Sequence, residues 1–181
     1  KECNKKSLIG LDIFFTKTPS MIDKDLVLRT LDLNADSLIA YLSWLQDKSN
    51  IFIEATKRDW DLQSLSAFVN QCNLSSDTCL LAIFYQGLHV GNIKFDSIDN
   101  TMREAWVGIL IGNKEFRGLG LATRALDLGC TYFNNQGIYE FFLGVNLDNK
   151  PAIIAYEKAG FKYHRDHKSN SVIMKKSLSR K

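Results

Sequence analysis

The sequence predicts an α/β fold in a single domain, with one mixed, mostly antiparallel sheet and helices on both of its faces. Three observations lead to this prediction. Apolar residues follow strand-like spacing in some segments and helical spacing in others. Three β-rich runs joined by short turns, over residues 78–112, predict an antiparallel meander. The 181 residues contain only two prolines and no repeat or low-complexity tract that would mark a domain boundary.

The predicted elements follow one another as β-α-α-β-β-β-α-β-α-β-β. Residues 25–33 are predicted as the first strand of this series, and the apolar residues 7–15 suit a strand or a docked arm. A helix over residues 34–47 follows a capping residue, Asn34 or Asp36. The remaining predictions are a helix at 61–72, strands at 78–85, 88–98 and 104–112, a helix at 120–137, a strand at 138–147, a helix at 149–160 and two strands within 161–178.

Composition excludes several classes of function. A net charge of +3 is too small for a general nucleic-acid binder, although it allows a local basic mouth for an anionic small molecule. The four cysteines form no C-x-x-C pair, so we expect free thiols of a reducing compartment and no metal site. The longest apolar run, residues 79–85, is far too short to span a membrane, and the N-terminus lacks a signal-peptide layout. We therefore expect a cytoplasmic protein with neither a nucleic-acid nor a membrane partner.

A glycine-rich stretch, "FRGLGLATRAL" at residues 116–126, lies between a strand and a helix. Such a turn exposes several backbone N–H groups at a helix N-terminus, which suits a phosphate or pyrophosphate. Neither G-x-x-x-x-G-K-[ST] nor a G-x-G-x-x-G after a first strand occurs, so a P-loop or dinucleotide enzyme is disfavoured. The glycines alone would equally suit an ordinary tight turn.

Two motifs decide between these interpretations. Residues 117–122 read R-x-x-G-x-A, which resembles the acetyl-CoA signature of the GNAT superfamily of N-acetyltransferases. Downstream, "NLDNKPAIIAYEKAGF" at 146–161 resembles that superfamily's second motif, an Asn before a short helix with a Tyr four residues before Gly-Phe. The resemblance covers about residues 26–178 and is sharpest over 106–161. A looser similarity points to the subgroup of ribosomal-protein alanine and amino-sugar acetyltransferases.

The resemblance implies an N-acetyltransferase domain at residues 25–181, an N-terminal extension at 1–24, a central pair of splayed strands and acetyl-CoA as acyl donor without a metal. Gly108 would mark a bulge or a close backbone approach beside the coenzyme. A basic surround is offered by Lys114, Arg117, Arg124, Lys150 and Lys158. The coenzyme-binding residues carried over are Ile109, Leu110, Ile111, Arg117, Gly118, Leu119, Gly120, Leu121, Ala122, Thr123, Asn149, Tyr156 and Lys158.

The implied reaction is direct attack of a primary amine on the thioester. Tyr156 would act as general acid towards the departing thiolate, and a backbone N–H of residues 109–111 would hold the oxyanion. Asn149 lies two helical turns before Tyr156 and would meet the pantetheine arm from the same face. Candidates for the general base are Glu54, His89, Glu104 and Glu140, or a water chain; Glu104 and Glu54 lead, and Glu104 is assigned with Tyr156 as catalytic.

Several alternatives stay open. Arg117 would also suit a solvated loop charge, Asn149 a simple helix cap and Tyr156 plain core packing. The acceptor is a small-molecule amine, with an amino sugar or sugar-nucleotide amine favoured slightly over a protein N-terminus. A non-catalytic acyl-CoA-binding module is the alternative from another class. Acceptor specificity is expected in residues 47–62 and around the last hairpin, and the oligomeric state is open, a homodimer being one alternative.

Overall fold

The computed structural model describes residues 20–180, with the backbone alone at residues 35 and 36. The predicted strand or arm at 7–15 lies outside this part. The strands are β1 Ser20–Asp23, β2 Leu26–Thr30, β3 Cys79–Tyr85, β4 Leu88–Asp99, β5 Glu104–Ile111, β6 Glu140–Asn146, β7 Lys162–Asp166 and β8 Ser171–Ser177. The helices are α1 Ala35–Gln46, α2 Leu62–Leu74, α3 Leu121–Asn135 and α4 Lys150–Lys158, with 3₁₀ turns at Glu54–Lys57 and Lys114–Phe116.

Local capping explains where the helices begin. Asn34, one of the two predicted caps, accepts the Ser37 N–H at 2.8 Å before α1. Asp61 forms a capping box with Ser64 at the start of α2. Asn149 accepts the Ala152 N–H at 3.4 Å before α4. Each cap satisfies an N–H group that the first helical turn leaves without a partner.

The eight described strands form one sheet in the order β1-β2-β3-β4-β5-β6-β8-β7. All neighbours are antiparallel except β5 and β6, which run parallel. The parallel pairing covers only three residue pairs and ends at Trp106 and Phe142. Since β5 continues to Ile111 and β6 to Asn146, the two strands part beyond this point. The mostly antiparallel sheet with splayed central strands is therefore confirmed.

Alternate residues of β3 enter two hydrophobic clusters on opposite faces of the sheet. Leu80 and Ala82 pack with residues of α1 and α2. Leu81 and Ile83 belong to the larger cluster, which contains the buried residues of α3 and α4. The predicted helices on both faces are thus present.

Two features differ from the sequence prediction. Strand β1 lies within the segment assigned to the N-terminal extension, yet it pairs with β2 from Ser20↔Arg29 to Asp23↔Leu26, so the sheet begins before residue 25. Gly108 marks no bulge, because its pairing with Lys94 is regular and a Cβ there would meet nothing within 4 Å among the described atoms. The close backbone approach occurs across the pair at Gly91, where a Cβ would lie 2.2 Å from the Leu110 oxygen.

Candidate active site

A cavity of about 500 Å³ opens where β5 and β6 part. One wall is the end of β5, another is the glycine loop with the first turn of α3, and a third is α4. The segment between α1 and α2 contributes the remaining side. The lining residues are Ser49, Asn50, Phe52, Ile53, Ile109, Leu110, Ile111, Phe116, Arg117, Gly118, Gly120, Leu121, Ala122, Thr123, Asn149, Pro151, Ala152, Ile154, Ala155, Tyr156 and Lys158.

The glycine loop turns sharply into α3 because Gly118 and Gly120 adopt φ angles of +77° and +75°. Residues with a side chain rarely adopt this left-handed backbone conformation, so these positions favour glycine. Space is not the reason, because a Cβ at either position would meet no described atom within 4 Å. The first i→i−4 bond of α3 runs from the Arg124 N–H to the Gly120 oxygen at 3.1 Å. The N–H groups of residues 121–123 precede that bond and line the cavity, which makes this wall suited to an anion.

The basic side chains around the loop are mostly engaged with the protein. Arg124 pairs with Asp23 at 3.0 Å and Asp25 at 2.8 Å, and its guanidinium holds the pKa of Asp25 below its usual value. Lys114 pairs with Asp47 at 2.8 Å. Lys158 also lines the cavity, and among residues 20–180 it forms no ion pair.

Arg117 is engaged as well. Its Nε donates to the Ile111 oxygen at 2.9 Å, and one terminal nitrogen donates to Asn50 Oδ1 at 2.8 Å and to the Gly112 oxygen at 3.3 Å. Arg117 is exposed, and its Nε and one terminal nitrogen donate to protein acceptors, while the other terminal nitrogen has no hydrogen bond among the described residues.

Tyr156 lies on α4 with its side chain facing the cavity and only 9% exposed. Burial raises the pKa of its phenol to about 12, so the hydroxyl is protonated at neutral pH. Asn149, at the start of the same helix, lines the same cavity while its Oδ1 caps α4. The predicted placement of both residues at one site is what the structure shows, and capping and ligand contact coexist at Asn149.

Comparison with known proteins agrees with this geometry. The sequence profile of the family described as "Acetyltransferase (GNAT) family" matches residues 40–161, more than half of the chain. The chain belongs to the acetyltransferase (GNAT) family. The resemblance drawn from the two motifs is thereby confirmed. Acetyltransferases of this family use acetyl-CoA, so the expected coenzyme is confirmed at the level of the family.

The individual relatives of the chain have names that state different acceptors. Spermidine N(1)-acetyltransferase of Escherichia coli K12 is 32% identical over 136 residues, covering 72% of this chain and 63% of the relative. The chain therefore spans less than two thirds of that relative's length. N-alpha-acetyltransferase 30 of Schizosaccharomyces pombe is 33% identical over 68 residues, or 38% of this chain and 45% of the relative.

A solved structure shows the same fold at low sequence identity. The ribosomal L7/L12 alpha-N-protein acetyltransferase RimL, in complex with coenzyme A, has a TM-score of 0.78 at 15% identity and covers 88% of this chain and 98% of its own. An alignment at that identity supports the fold alone, and this is the fold that the motifs of the chain predicted.

The structure brings together most of the residues predicted to bind the coenzyme. Twelve of the thirteen line the cavity. Leu119 does not, and its side chain is 55% exposed. Glu104 does not line the cavity either, because it begins β5 whereas the cavity lies at the end of that strand. The five residues of extended chain from Glu104 to Ile109 span about 17 Å.

The other candidate bases are also occupied elsewhere. Glu54 pairs with Lys57 at 2.6 Å on an exposed turn. Glu140 binds Lys175 at 2.9 Å and accepts from the Ser177 hydroxyl at 2.7 Å. None of the residues lining the described cavity carries a carboxylate, so the predicted assignment of Glu104 as base has no geometric support.

His89 is no better placed as a base. Its ring packs edge-on to Trp44 at 4.9 Å and stacks on Phe84 at 5.2 Å. Its Nε2 lies 2.9 Å from Asn92 Oδ1. Burial lowers the pKa of His89, and its ring faces the core between α1 and the sheet instead of lining the cavity.

The sequence did not predict three groups of cavity-lining residues: those in the segment between α1 and α2, Phe116, and the residues of α4 around Tyr156. Ser49, Asn50, Phe52 and Ile53 lie in the segment expected to carry acceptor specificity, without any pattern that would select them. Phe116 immediately precedes the arginine motif. Of the α4 residues 151, 152, 154 and 155, only Ala152 could have been found from Tyr156, because a residue four positions earlier shares its side of the helix.

Proposed function

We propose that the protein transfers the acetyl group of acetyl-CoA to a weakly basic primary amine by direct attack, with Tyr156 as general acid. One observation carries this proposal: the buried, protonated phenol of Tyr156 shares a cavity with the unpaired first-turn N–H groups of α3. A phosphate cradle and a proton donor in one cavity are what a coenzyme A thioester requires.

The coenzyme has a place for each of its parts. The pyrophosphate fits the N–H groups at residues 118–123, beside the two lining cations Arg117 and Lys158, neither of which forms an ion pair among the described residues. The pantetheine amides fit the open edge of β5, which loses its parallel partner beyond Trp106. A backbone N–H of residues 109–111 would hold the oxyanion, and Asn149 would contact the arm from α4.

The phenol and the leaving thiolate are matched in basicity. In water a thiol has a pKa of about 8.5, well below the value of about 12 for Tyr156, which would make proton transfer unfavourable. The same desolvation acts on a thiol, however, and burial raises the pKa of Cys79 to about 12 in this protein. Desolvation in the cavity would likewise raise the pKa of the departing thiol, which would let its thiolate take the proton from Tyr156 as charge develops on sulfur.

The acceptor must lose a proton without a carboxylate in the cavity. An α-amino group, with a pKa of about 7.8, is about 30% neutral at pH 7.4, whereas a primary alkylamine with a pKa of about 10.4 is about 0.1% neutral. Loss of a proton to water therefore leaves enough neutral α-amine for the reaction, but too little neutral alkylamine. The charge and lining of the cavity therefore favour an amine of low basicity over a polyamine, even though one relative is named for spermidine.

Among weakly basic amines, the lining favours a peptide α-amine. Phe52 and Ile53 face the cavity from the acceptor segment and offer apolar contact to a side chain, but little to the hydroxyls of an amino sugar. The sugar nucleotide and the homodimer gain no support from the cavity or from the relatives. This reverses the slight preference that the sequence suggested for an amino sugar.

An amine panel tests the proposal. Acetyl-CoA is offered with peptides carrying a free N-terminus and no lysine, with glucosamine, and with spermidine, while thiol release is recorded. We expect the peptides to give the highest kcat/KM, rising with pH through the acceptor's own pKa. A tenfold preference for spermidine would contradict the assigned acceptor. Tight acetyl-CoA binding without turnover on any amine would instead identify a non-catalytic binding module.

A further inference from the structure

Two loops that line the cavity are joined by a hydrogen bond between the side chains of Arg117 and Asn50. The coenzyme loop, residues 112–120, contains the glycines of the anion-binding turn. The acceptor loop, residues 47–53, contributes Phe52 and Ile53 to the cavity. Arg117 is the bridge: it holds the carbonyls of Ile111 and Gly112 in its own loop and reaches Asn50 Oδ1 at 2.8 Å in the other.

Asn50 completes the bridge on the acceptor side. Its side chain is buried, and its Nδ2 donates to the Trp44 oxygen in the last turn of α1 at 2.8 Å. Its backbone N–H donates to the Asp47 oxygen at 3.0 Å, and its carbonyl accepts from the Ile53 N–H at 3.0 Å. Asn50 thus connects several parts of the acceptor loop, and among residues 20–180 its side chain is hydrogen-bonded to one charged group, the Arg117 guanidinium.

We propose that Arg117 and Asn50 are positioning residues, through which binding of the coenzyme orders the acceptor loop before the amine arrives. The inference rests on the proposed use of acetyl-CoA. Arg117 directly precedes Gly118, so fixing the turn around a pyrophosphate also fixes the origin of the guanidinium. The planar guanidinium meets three acceptors at once, which the single ammonium of a lysine does not reproduce.

A second link between the two loops provides a matched control. Lys114 pairs with Asp47 at 2.8 Å, but the Lys114 side chain is 59% exposed. An exposed ion pair restrains its partners weakly, whereas the hydrogen bond from Arg117, itself an exposed residue, ends on the buried side chain of Asn50. If positioning depends on this hydrogen bond to Asn50, removing Lys114 should matter far less than altering Arg117.

Amide hydrogen exchange measures the coupling between coenzyme binding and order in the acceptor loop when no amine substrate is present. The N–H groups of Asn50, Ile53 and Thr56 are each hydrogen-bonded within or beside the acceptor loop and report on its order. We expect saturating acetyl-CoA to slow their exchange by about tenfold in the wild-type chain. In Arg117→Lys and in Asn50→Ala the slowing should fall below about threefold, while Lys114→Ala keeps it.

Titration calorimetry with acetyl-CoA accompanies every exchange experiment. The Kd of Arg117→Lys should stay within about fivefold of wild type, because the phosphate-binding groups are backbone N–H groups. Full protection of the acceptor loop in Arg117→Lys, or its equal loss in Lys114→Ala, would overturn the inference. Thermal unfolding verifies that each variant is folded. If Asn50→Ala does not fold, the test is made with Arg117→Lys alone.

The two proposals fail in different ways. If acetyl-CoA does not bind the wild-type chain, the proposed function is wrong. If acetyl-CoA binds and the acceptor loop shows no protection, only the positioning role of Arg117 and Asn50 is wrong. The double variant adds a further check: because one hydrogen bond joins the two side chains, it should lose no more protection than either single variant.

Discussion

Replacing the Tyr156 hydroxyl is the most direct test of catalysis. In Tyr156→Phe the ring keeps its place in the core, 6.3 Å from the ring of Phe161. No hydrogen bond involving the hydroxyl occurs among residues 20–180, so its removal leaves no partner unsatisfied. We therefore expect the melting temperature and the Kd for acetyl-CoA to be nearly unchanged, since neither packing nor the anion-binding turn is altered.

The expected loss lies in kcat. With a pKa of about 12, only about three in 10⁵ phenols are ionised at pH 7.5, so practically every wild-type molecule carries the proton that the thiolate requires. A positioned acid contributes about 10²–10⁴ in rate, so kcat should fall by that factor, or about 2.7–5.4 kcal/mol in activation free energy. The wild-type rate should show no loss from ionisation of this phenol below about pH 11.

Initial rates of thiol release at saturating acetyl-CoA and amine give kcat, and calorimetry gives the Kd for acetyl-CoA. Tyr163→Phe is the matched control, because Tyr163 is exposed and its hydroxyl donates to Asp166 at 3.1 Å, away from the cavity. A kcat for Tyr156→Phe within threefold of wild type would refute the assignment of Tyr156 as general acid. An equal fall in both variants would show that the loss has another origin.

Three further predictions concern stability and binding. Gly91→Ala should destabilise the protein by about 1–3 kcal/mol in chemical unfolding because its Cβ meets the Leu110 oxygen at 2.2 Å, whereas Gly108→Ala, with open space around it, should unfold like wild type. Gly120→Ala should cost about 1–2 kcal/mol from its φ of +75° and weaken acetyl-CoA binding in calorimetry; unchanged values for both would exclude a strained turn. Burial lowers the pKa of His89, so the folded protein favours the neutral imidazole. The free energy of unfolding should therefore be highest above about pH 6.5, the ordinary pKa of histidine, and should decline as the pH falls towards the lowered pKa. In unfolding curves recorded between about pH 7.5 and 5, this part of the decline should be missing from His89→Gln.

The sequence predicted those parts of the site that depend on local geometry. Gly118 and Gly120 need their left-handed turn wherever the chain places them, and Asn149 caps α4 from one residue away. Tyr156 follows from the helix that begins at that cap. The element order was equally accessible, because each strand and helix of residues 25–180 has its own periodicity and its own stop signal.

Contacts between distant segments were not accessible from the sequence. Arg117 meets Asn50 across 67 positions, and Arg124 meets Asp23 across 101, so the charge of Arg124 is neutralised by a carboxylate that is distant in sequence. Glu104 was placed correctly at the start of a strand. Its distance from the cavity depends on which end of that strand carries the site, and residue spacing does not record this.

The short parallel contact between β5 and β6 has a mechanical consequence. The cavity takes two walls from the end of β5 and the loop into α3, and its third wall from α4, which follows β6. Within the described sheet, the two parts are joined by the pairs at residues 104–106 and by the Arg103 oxygen, which accepts from the Tyr139 and Glu140 N–H groups. We expect a small rotation about this contact to change the width of the cavity, because its walls lie on both parts. The width of the site would then depend on residues that do not line it.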